Sequence, residues 1–205
     1  MLKREFYLQN CITLAKNLLG KLLVYHSPKG KISGIITETE SYLGVEDKAS
    51  KAYKGVESPG NYPMFKIGGT SFVYLTYGIH ELFNVVAMEE NNPAAVLIRS
   101  VSIVEGKETA SQNRYSESYE NLTEAQIMNI SNGPGKLTKA YGIDRKLNMH
   151  DLTKKPLYIC DYITPFEIEI DRRIGIDYAE EAIDFPFRFY IKGQSKKNVR
   201  KVKNR

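Results

Sequence analysis

Residues 35–42 constrain the fold most, because they place two acids in a run of β-forming residues. The run is Ile-Ile-Thr-Glu-Thr-Glu-Ser-Tyr, a composition that predicts a β-strand. Side chains of a strand alternate between its two faces, so Glu38 and Glu40 share a face and lie roughly 7 Å apart. A solvated strand face explains this pattern, and so does an active site, where partly buried carboxylates are common.

Short strand and helix patterns follow each other along the rest of the chain. Asn10 is a candidate cap for a helix at 11–19, and a strand at 21–26 is expected to form a hairpin with the strand ending at Tyr42. The mixture predicts a single α+β domain with a mostly antiparallel sheet. The other predicted strands are 70–77, 82–87, 95–101, 157–161, 166–171 and 187–191, and the other predicted helices are 104–112 and 133–141.

Two segments have no clear strand or helix period. Residues 43–69 are rich in glycine and proline, and a connection of this length is usually functional or disordered. A short helix at 46–52 is compatible with its sequence. Residues 113–126 are rich in Ser, Glu, Asn and Tyr, which predicts a solvated surface insertion.

The positive charge of the chain is concentrated at its C-terminal end. The formal net charge is +5, and residues 192–205 hold seven basic residues and no acids, so subtracting seven from +5 leaves −2 for residues 1–191. Such a block can contact a polyanion or act as a solubilising end. We therefore predict a folded domain at 1–191 and a basic tail at 192–205, and any case for DNA binding needs particular residues.

Composition excludes several classes of protein. No apolar run approaches the ~20 residues that cross a bilayer, and the N-terminus lacks a signal-peptide core. The two cysteines, Cys11 and Cys160, and the three histidines are scattered, without the spacing of a zinc site. We expect a cytoplasmic protein that contacts no membrane and uses no metal or other cofactor.

The predicted second hairpin carries two tyrosines with different expected positions. Tyr74 shares a strand face with Phe72, whereas Tyr77 lies three residues further on, beside Gly78, which permits a bend. One tyrosine would then line a pocket and the other would project at a hairpin tip, where an aromatic ring can wedge into a base stack. Ordinary sheet packing is the alternative.

Three further polar positions stand out in apolar surroundings. Arg99 ends an apolar strand and needs a carboxylate, either Glu38 or Glu40, for a structural or a catalytic purpose. Asn84 must find hydrogen bonds if it is buried, as a core amide or as part of a site. The run Gly-Pro-Gly-Lys-Leu at 133–137 is not a P-loop, so it is either a phosphate-binding helix start or a routine one.

An ordered set of short motifs spans nearly the whole chain and resembles the alkyladenine (3-methyladenine) DNA glycosylases of the mammalian type. Each motif alone is weak, whereas the ordered set is specific. The motifs are Leu14–Leu19 with Gly20, Glu38–Gly44, Glu46-Asp47, Met64-Phe65, Val73-Tyr74, Tyr77-Gly78, Asn84, Val96–Arg99, Gly133-Pro134, Lys136-Leu137 and Arg188–Tyr190.

The resemblance implies an enzyme that flips alkylated or deaminated purines out of double-stranded DNA and hydrolyses the N-glycosidic bond, without a metal or a covalent intermediate. It also implies an open barrel-like sheet with flanking helices, similar to the C-terminal domain of formyltransferases, and a monomer. The implied roles are general base for Glu40, water-holding for Arg99 and the Ile174 carbonyl, base-stacking for Tyr42 and Tyr74, intercalation for Tyr77, and pocket lining for Asn84 and Leu97.

One position departs from the family pattern. The family usually has a histidine eleven residues after the catalytic glutamate, and this chain has Lys51. An ammonium group donates hydrogen bonds, accepts none and repels a cationic purine. Lys51 is therefore expected to favour neutral lesions that present an acceptor, such as hypoxanthine, or else to point outward to a phosphate.

Two other classes of function stay open. A non-catalytic nucleic-acid-binding module would have no use for a buried acid beside a water-holding arginine. A hydrolase of free nucleosides would have no use for an exposed Tyr77 or a basic tail.

Overall fold

One curled antiparallel sheet of eight strands is the framework of the fold within residues 1–163 and 166–193, the ranges that the computed structural model describes. The strands are β1 (Leu22–Ser27), β2 (Gly30–Tyr42), β3 (Ser71–Thr76), β4 (His80–Val86), β5 (Ala95–Glu105), β6 (Leu157–Cys160), β7 (Ile168–Asp171) and β8 (Arg188–Ile191).

Short helices flank this sheet. The α-helices are α1 (Arg4–Tyr7), α2 (Cys11–Leu18), α3 (Lys107–Tyr115), α4 (Glu124–Met128) and α5 (Pro134–Tyr141). Single turns of 3₁₀-helix lie at Gly44–Glu46, Tyr53–Gly55, Tyr62–Phe65, Tyr119–Asn121, Arg145–Leu147 and Glu180–Asp184.

Strand β2 is the centre of the sheet and the reason that it curls. The strand order is β3-β4-β5-β2-β1-β6, and β8 pairs with β2 as a branch that carries β7. The first part of β2, residues 30–35, pairs with β1, whereas residues 38–40 pair with β8. Changing partners along one strand closes the sheet into a half-barrel. The α+β class and the antiparallel, open barrel-like sheet are thus confirmed, while the likeness to formyltransferases stays a prediction.

Helix α2 covers the sheet with the apolar face that its sequence predicts. The Asn10 side chain accepts a hydrogen bond from the Ile12 N–H at 3.0 Å and so caps the helix. The apolar residues Cys11, Leu14, Ala15 and Leu18 are fully buried. Burial contributes about 1.5–3 kcal/mol for each large aliphatic side chain, so this face anchors the helix to β2 and β5.

Three predictions of local structure are wrong. Strand β5 continues to Glu105 and Gly106 turns the chain at φ +79°, so α3 begins later than residue 104. No helix forms at 46–52, where two 3₁₀ turns flank a bend instead. Residues 113–126 are not simply a solvated insertion, because Leu122 is buried and Tyr119 packs against the core.

Cys11 and Cys160 are free thiols, and burial raises the pKa of the Cys11 thiol to about 11. None of the described helices has the length and apolar character needed to span a bilayer. The division at 191/192 stays a prediction, since residues 194–205 lie outside the described ranges.

Candidate active site

A cavity of about 860 Å³ opens between the β3–β4 hairpin, the loop after β2 and the start of α5. Its volume is in the range of small-molecule pockets. Glu40 is buried immediately behind its wall, in contact with three of the lining residues. The predicted site residues that line it are Tyr42, Lys51, Tyr74, Tyr77, Asn84, Leu97, Arg99 and Ile174.

The Glu40 side chain has no exposed surface and is held at three points. Its Oε1 accepts a hydrogen bond from the Ile174 N–H at 2.8 Å and lies 3.3 Å from Arg99 Nη1. Its Oε2 accepts a hydrogen bond from the Tyr42 hydroxyl at 2.9 Å. A buried carboxylate needs such donors, and these donors also fix the direction of the carboxylate. The predicted role of Ile174 concerns its carbonyl, whereas the structure shows its N–H in contact with Glu40.

Arg99 is brought to both glutamates by a bulge in the sheet. In the pairing of β2 with β5, Glu38 lies opposite Ser100 and Thr39 opposite Ile98, so Arg99 is the extra residue. A bulge redirects the side chain at its position. Arg99 Nε donates to Glu38 Oε1 at 3.0 Å, while Nη1 faces Glu40. Burial opposes the charge of Arg99, but the two carboxylates outweigh it and raise its pKa.

Tyr42 forms one wall of the cavity and has a cation behind it. The guanidinium of Arg173 lies 4.8 Å from the centre of the Tyr42 ring. Burial, together with the charge of Glu40 and the hydrogen bond to it, raises the pKa of Tyr42 well above its usual value. The hydroxyl therefore stays protonated and remains a donor to Glu40 throughout the neutral range.

Tyr74 forms another wall and is contacted by two side chains. Phe72, two residues earlier on β3, lies 4.9 Å from it between ring centres, as expected for residues that share a strand face. The ammonium of Lys51 lies 4.4 Å from the centre of the Tyr74 ring. Lys51 is exposed, so this cation–π contact is at the mouth of the cavity.

Asn84 and Leu97 are buried side by side in paired strands. They lie opposite each other in the register of β4 and β5. The Asn84 amide donates a hydrogen bond to the Phe72 carbonyl at 3.1 Å, which satisfies one of its donors and fixes its orientation. Both side chains also face the cavity, so Asn84 is a hydrogen-bonded core amide and a lining residue at once.

Tyr77 is at the tip of the β3–β4 hairpin and is 83% exposed. It adopts φ +51° and is followed by Gly78 at φ +70°, so the chain reverses here and turns the ring out to solvent. Non-glycine residues seldom adopt such a φ. Ile79 is also exposed beside it, which makes the tip apolar.

Comparisons with known proteins agree with this geometry. The family model described as Methylpurine-DNA glycosylase (MPG) matches residues 5–195. The chain belongs to the methylpurine-DNA glycosylase family. Membership makes the protein a hydrolase of N-glycosyl bonds that acts in DNA repair, with DNA as its substrate.

Curated relatives in this glycosylase family are bacterial. A protein of Desulfitobacterium hafniense (strain Y51), provisionally named 3-methyladenine DNA glycosylase, is 46% identical over 191 residues, which are 93% of this chain and 94% of the relative. A protein of Clostridium novyi (strain NT) with the same provisional name is 44% identical over 191 residues, again 93% and 94% of the two chains. The qualifier "mammalian type" finds no support in these relatives.

A buried ion pair behind the glycosylase cavity was not found by sequence reasoning. Arg173 donates to both carboxylate oxygens of Asp47, at 2.5 and 2.8 Å, and to the Ser41 carbonyl at 2.9 Å. The Arg173 and Asp47 side chains are 0% and 1% exposed. They are 126 residues apart in the chain, so no local spacing links them. The only sequence signal was that Asp47 lies within one of the matching motifs.

The mouth of the cavity has two further features. Tyr178, also missed, is 68% exposed, lines the cavity and donates a hydrogen bond to the Ala49 carbonyl at 3.3 Å. Helix α5 begins at Pro134, which confirms the predicted helix. Lys136 in its first turn lines the cavity and donates to Asn129 Oδ1 at 2.8 Å. Phosphate binding by this helix start stays a prediction.

Proposed function

We propose that the protein flips alkylated or deaminated purines out of duplex DNA and hydrolyses their N-glycosidic bond with a water molecule activated by Glu40. The substrates proposed are 3-methyladenine, 7-methylguanine, hypoxanthine and ethenoadenine. The observation that supports this function is a fully buried, three-point-held carboxylate directly behind an aromatic cavity.

The arrangement of donors around Glu40 indicates how water would be activated. Oε1 faces two donors, whereas Oε2 accepts one described hydrogen bond, from Tyr42, and a carboxylate oxygen has two lone pairs. We assign the water to Oε2, with Arg99 and the Ile174 carbonyl holding it. Glu40 takes a proton as the water oxygen bonds to the sugar C1′, and the purine leaves with the electron pair of the broken bond.

The remaining lining residues would bind the base and the duplex. Tyr42 and Tyr74 would stack on the two faces of the extruded purine, with Leu97 as an apolar wall near the water. Asn84 would disfavour bases that carry a guanine-type amino group, which includes 7-methylguanine among the proposed substrates. Tyr77, exposed at the hairpin tip, would fill the gap that the flipped base leaves in the helix.

Lys51 would set the preference among lesions. Its ammonium already lies on the Tyr74 ring, so a cationic base that stacks there meets a like charge, whereas the neutral hypoxanthine offers an acceptor. Replacement by histidine tests this proposal. We expect Lys51→His to lower the ratio of hypoxanthine to 7-methylguanine excision, and an unchanged ratio would mean that Lys51 serves a phosphate instead.

The decisive experiment is single-turnover excision from duplexes that carry one hypoxanthine or one 7-methylguanine. Wild type should release the base, and Glu40→Gln should reduce the rate constant by about 10²–10⁴-fold, the usual loss on removing a general base. Glu120→Gln, at an exposed glutamate outside the cavity lining, is the matched control and should behave as wild type.

The same assay separates the other two classes of function. Intact duplex binding without excision by wild type would indicate a binding module. A nucleoside hydrolase would cleave free nucleosides and show little dependence of binding on salt, whereas duplex binding weakens steeply with salt.

The site as proposed needs one chain only, since a single chain supplies every residue named above. We therefore propose a monomer. We also propose that it acts in the cytoplasm. Sedimentation of the free protein and of its complex with duplex DNA would check the stoichiometry.

A further inference from the structure

Five side chains of alternating charge form a continuous charged network that ends at Glu40. Asp171 Oδ2 lies 2.6 Å from Arg188 Nη2, and Arg188 Nη1 lies 3.2 Å from Glu38 Oε1. Arg99 then links Glu38 at 3.0 Å with Glu40 at 3.3 Å. The four inner side chains are at most 8% exposed, whereas Asp171 is 46% exposed. The charged network therefore connects the surface with the buried Glu40.

Arg188 holds this charged network in place. Its Nε donates to the Arg172 carbonyl at 2.7 Å, in addition to its contacts with Asp171 and Glu38. Its position is also set by the sheet, because Arg188 lies opposite Glu40 in the pairing of β2 with β8. Glu38 Oε1 thus accepts from two guanidinium groups, one of them fixed from outside the cavity.

The contact between Arg99 and Glu40 differs from the usual pairing of these groups. Arginine and a carboxylate prefer two parallel hydrogen bonds. Here Arg99 Nε donates to Glu38 at 3.0 Å, and the contact of Arg99 with Glu40 is between Nη1 and Oε1, at the longer distance of 3.3 Å. If Glu38 did not hold Nε, the guanidinium could turn and bind both oxygens of Glu40, including Oε2.

We propose that Glu38 is a positioning residue for base excision, which holds Arg99 through Nε so that its Nη1 faces Oε1 of Glu40 and Oε2 stays available to the reacting water. This inference rests on the proposed function, in which Glu40 activates that water. Arg188 and Asp171 support Glu38 in turn. The role is separate from packing, because it requires the charge of Glu38 and its orientation toward Arg99.

The test is Glu38→Gln, which keeps the shape of the side chain and removes its charge. We expect the single-turnover rate constant to fall by about 10- to 100-fold, the loss that a small misplacement in an active site causes. The Kd for the lesion-containing duplex should stay within about twofold, since Arg99 would be displaced without loss of the stacking walls. Glu105→Gln, which removes an exposed carboxylate paired with Lys31 at 2.8 Å, is the matched control and should change neither quantity.

A second variant keeps the proposal testable if Glu38→Gln does not fold. Asp171 is at the exposed end of the charged network. Asp171→Asn should therefore fold, and it should reduce the rate constant by a smaller factor, about threefold. Thermal unfolding and duplex binding would show that each variant is folded at the assay temperature.

The outcomes distinguish this inference from the proposed function. Excision at wild-type rates by both Glu38→Gln and Asp171→Asn would overturn the positioning role alone. No excision by wild type would overturn the proposed function and the inference with it. A loss of excision in Glu38→Gln, with full excision in Glu40→Gln, would show that the two glutamates have been assigned in the wrong order.

Discussion

The buried centre of the sheet and the tip of the β3–β4 hairpin have opposite compositions, and each departs from the usual distribution of residues. Glu38, Glu40 and Arg99 carry charge at buried positions, each at most 8% exposed. Tyr77 and Ile79, at 83% and 72% exposure, carry apolar surface where the protein is most exposed. Soluble proteins generally bury apolar residues and expose charged ones.

The two regions lie on either side of one cavity, and the unusual burial of charge and exposure of apolar surface each have a physical reason. A buried charge is stable only with partners, and each of the three charged residues has them. An exposed aromatic tip gains nothing for folding and is useful for contact with a partner. In the proposed function both regions take part in the reaction. Removing a charged residue from the buried centre should change the free energy of unfolding strongly, and removing an apolar residue from the tip should change it little.

The largest expected effect is in the buried centre. Arg99→Leu leaves two buried carboxylates without their shared cation, and we expect the free energy of unfolding to fall by about 3–5 kcal/mol. Arg145→Leu is the control, because Arg145 pairs with Glu81 at 3.0 Å but is 65% exposed, so its loss should be under about 1 kcal/mol. Urea unfolding of both variants measures the difference, and equal losses would contradict the comparison.

A backbone change beside the centre should cost less. Gly44 follows β2 at φ +76°, and a Cβ there would lie 1.8 Å from the Pro93 carbonyl oxygen. Gly44→Ala should lower the free energy of unfolding by about 2 kcal/mol or more, from the strained φ and the clash. At Gly60 the nearest atom to such a Cβ is 3.8 Å away, so Gly60→Ala should be close to neutral in the same urea titration.

At the hairpin tip a substitution should change the binding of DNA more than the stability of the fold. Tyr77→Ala should change the free energy of unfolding by under about 0.5 kcal/mol, as for other exposed positions. It should weaken binding of a lesion-containing duplex by about 1–3 kcal/mol, the worth of one aromatic stack on a base. Fluorescence anisotropy gives the Kd, and Tyr162→Ala, at a tyrosine that is 51% exposed and outside the cavity lining, should leave it unchanged.

The ion pair of Arg4 with Asp151 is partly buried. Its loss should have the smallest effect on the free energy of unfolding, and only above acid pH. Burial tends to raise the pKa of Asp151, but hydrogen bonds from Thr153 and the charge of Arg4 lower it to about 2. A carboxyl whose pKa is lower in the folded state stabilises the fold above its ordinary pKa of about 3.8, and this stabilisation is lost as pH falls toward 2.

The corresponding variant is Asp151→Asn. Its loss of stability, about 1 kcal/mol or less because the pair is partly solvated, should be present at pH 6 and should shrink between pH 4 and pH 2. Thermal unfolding at several pH values measures it. A cost that does not depend on pH would mean that packing, and not charge, makes the contribution of Asp151.

Local patterns in the sequence predicted most of the fold because they depend on neighbouring residues. The cap at Asn10, the apolar face of α2 and the two hairpins follow from periods of two or 3.6 residues and from turn chemistry. The start of α3 was missed because Val104 and Glu105 continue β5 beside β2, a tertiary contact that overrides local preference.

The candidate site was predictable where a single position carried the signal. Arg99 stands out as a cation in an apolar strand, and Glu40 and Tyr42 stand out on a strand face that carries two acids; in the structure Glu40 contacts both Tyr42 and Arg99. The pair of Asp47 with Arg173 and the anchoring of Glu38 by Arg188 join residues more than a hundred positions apart. No local pattern could have linked them.

By itself, the sequence determined the class of fold, the family and the acid at the centre of the site, because periodicity and ordered motifs are written in neighbouring residues. Tertiary structure alone decided how Arg99 is divided between Glu38 and Glu40. That division depends on a bulge between β2 and β5 and on β8 joining β2 at residues 38–40. Contacts near 3 Å between these charges depend on how strands that are distant in the sequence pair with each other. The order of residues along one strand does not predict that pairing.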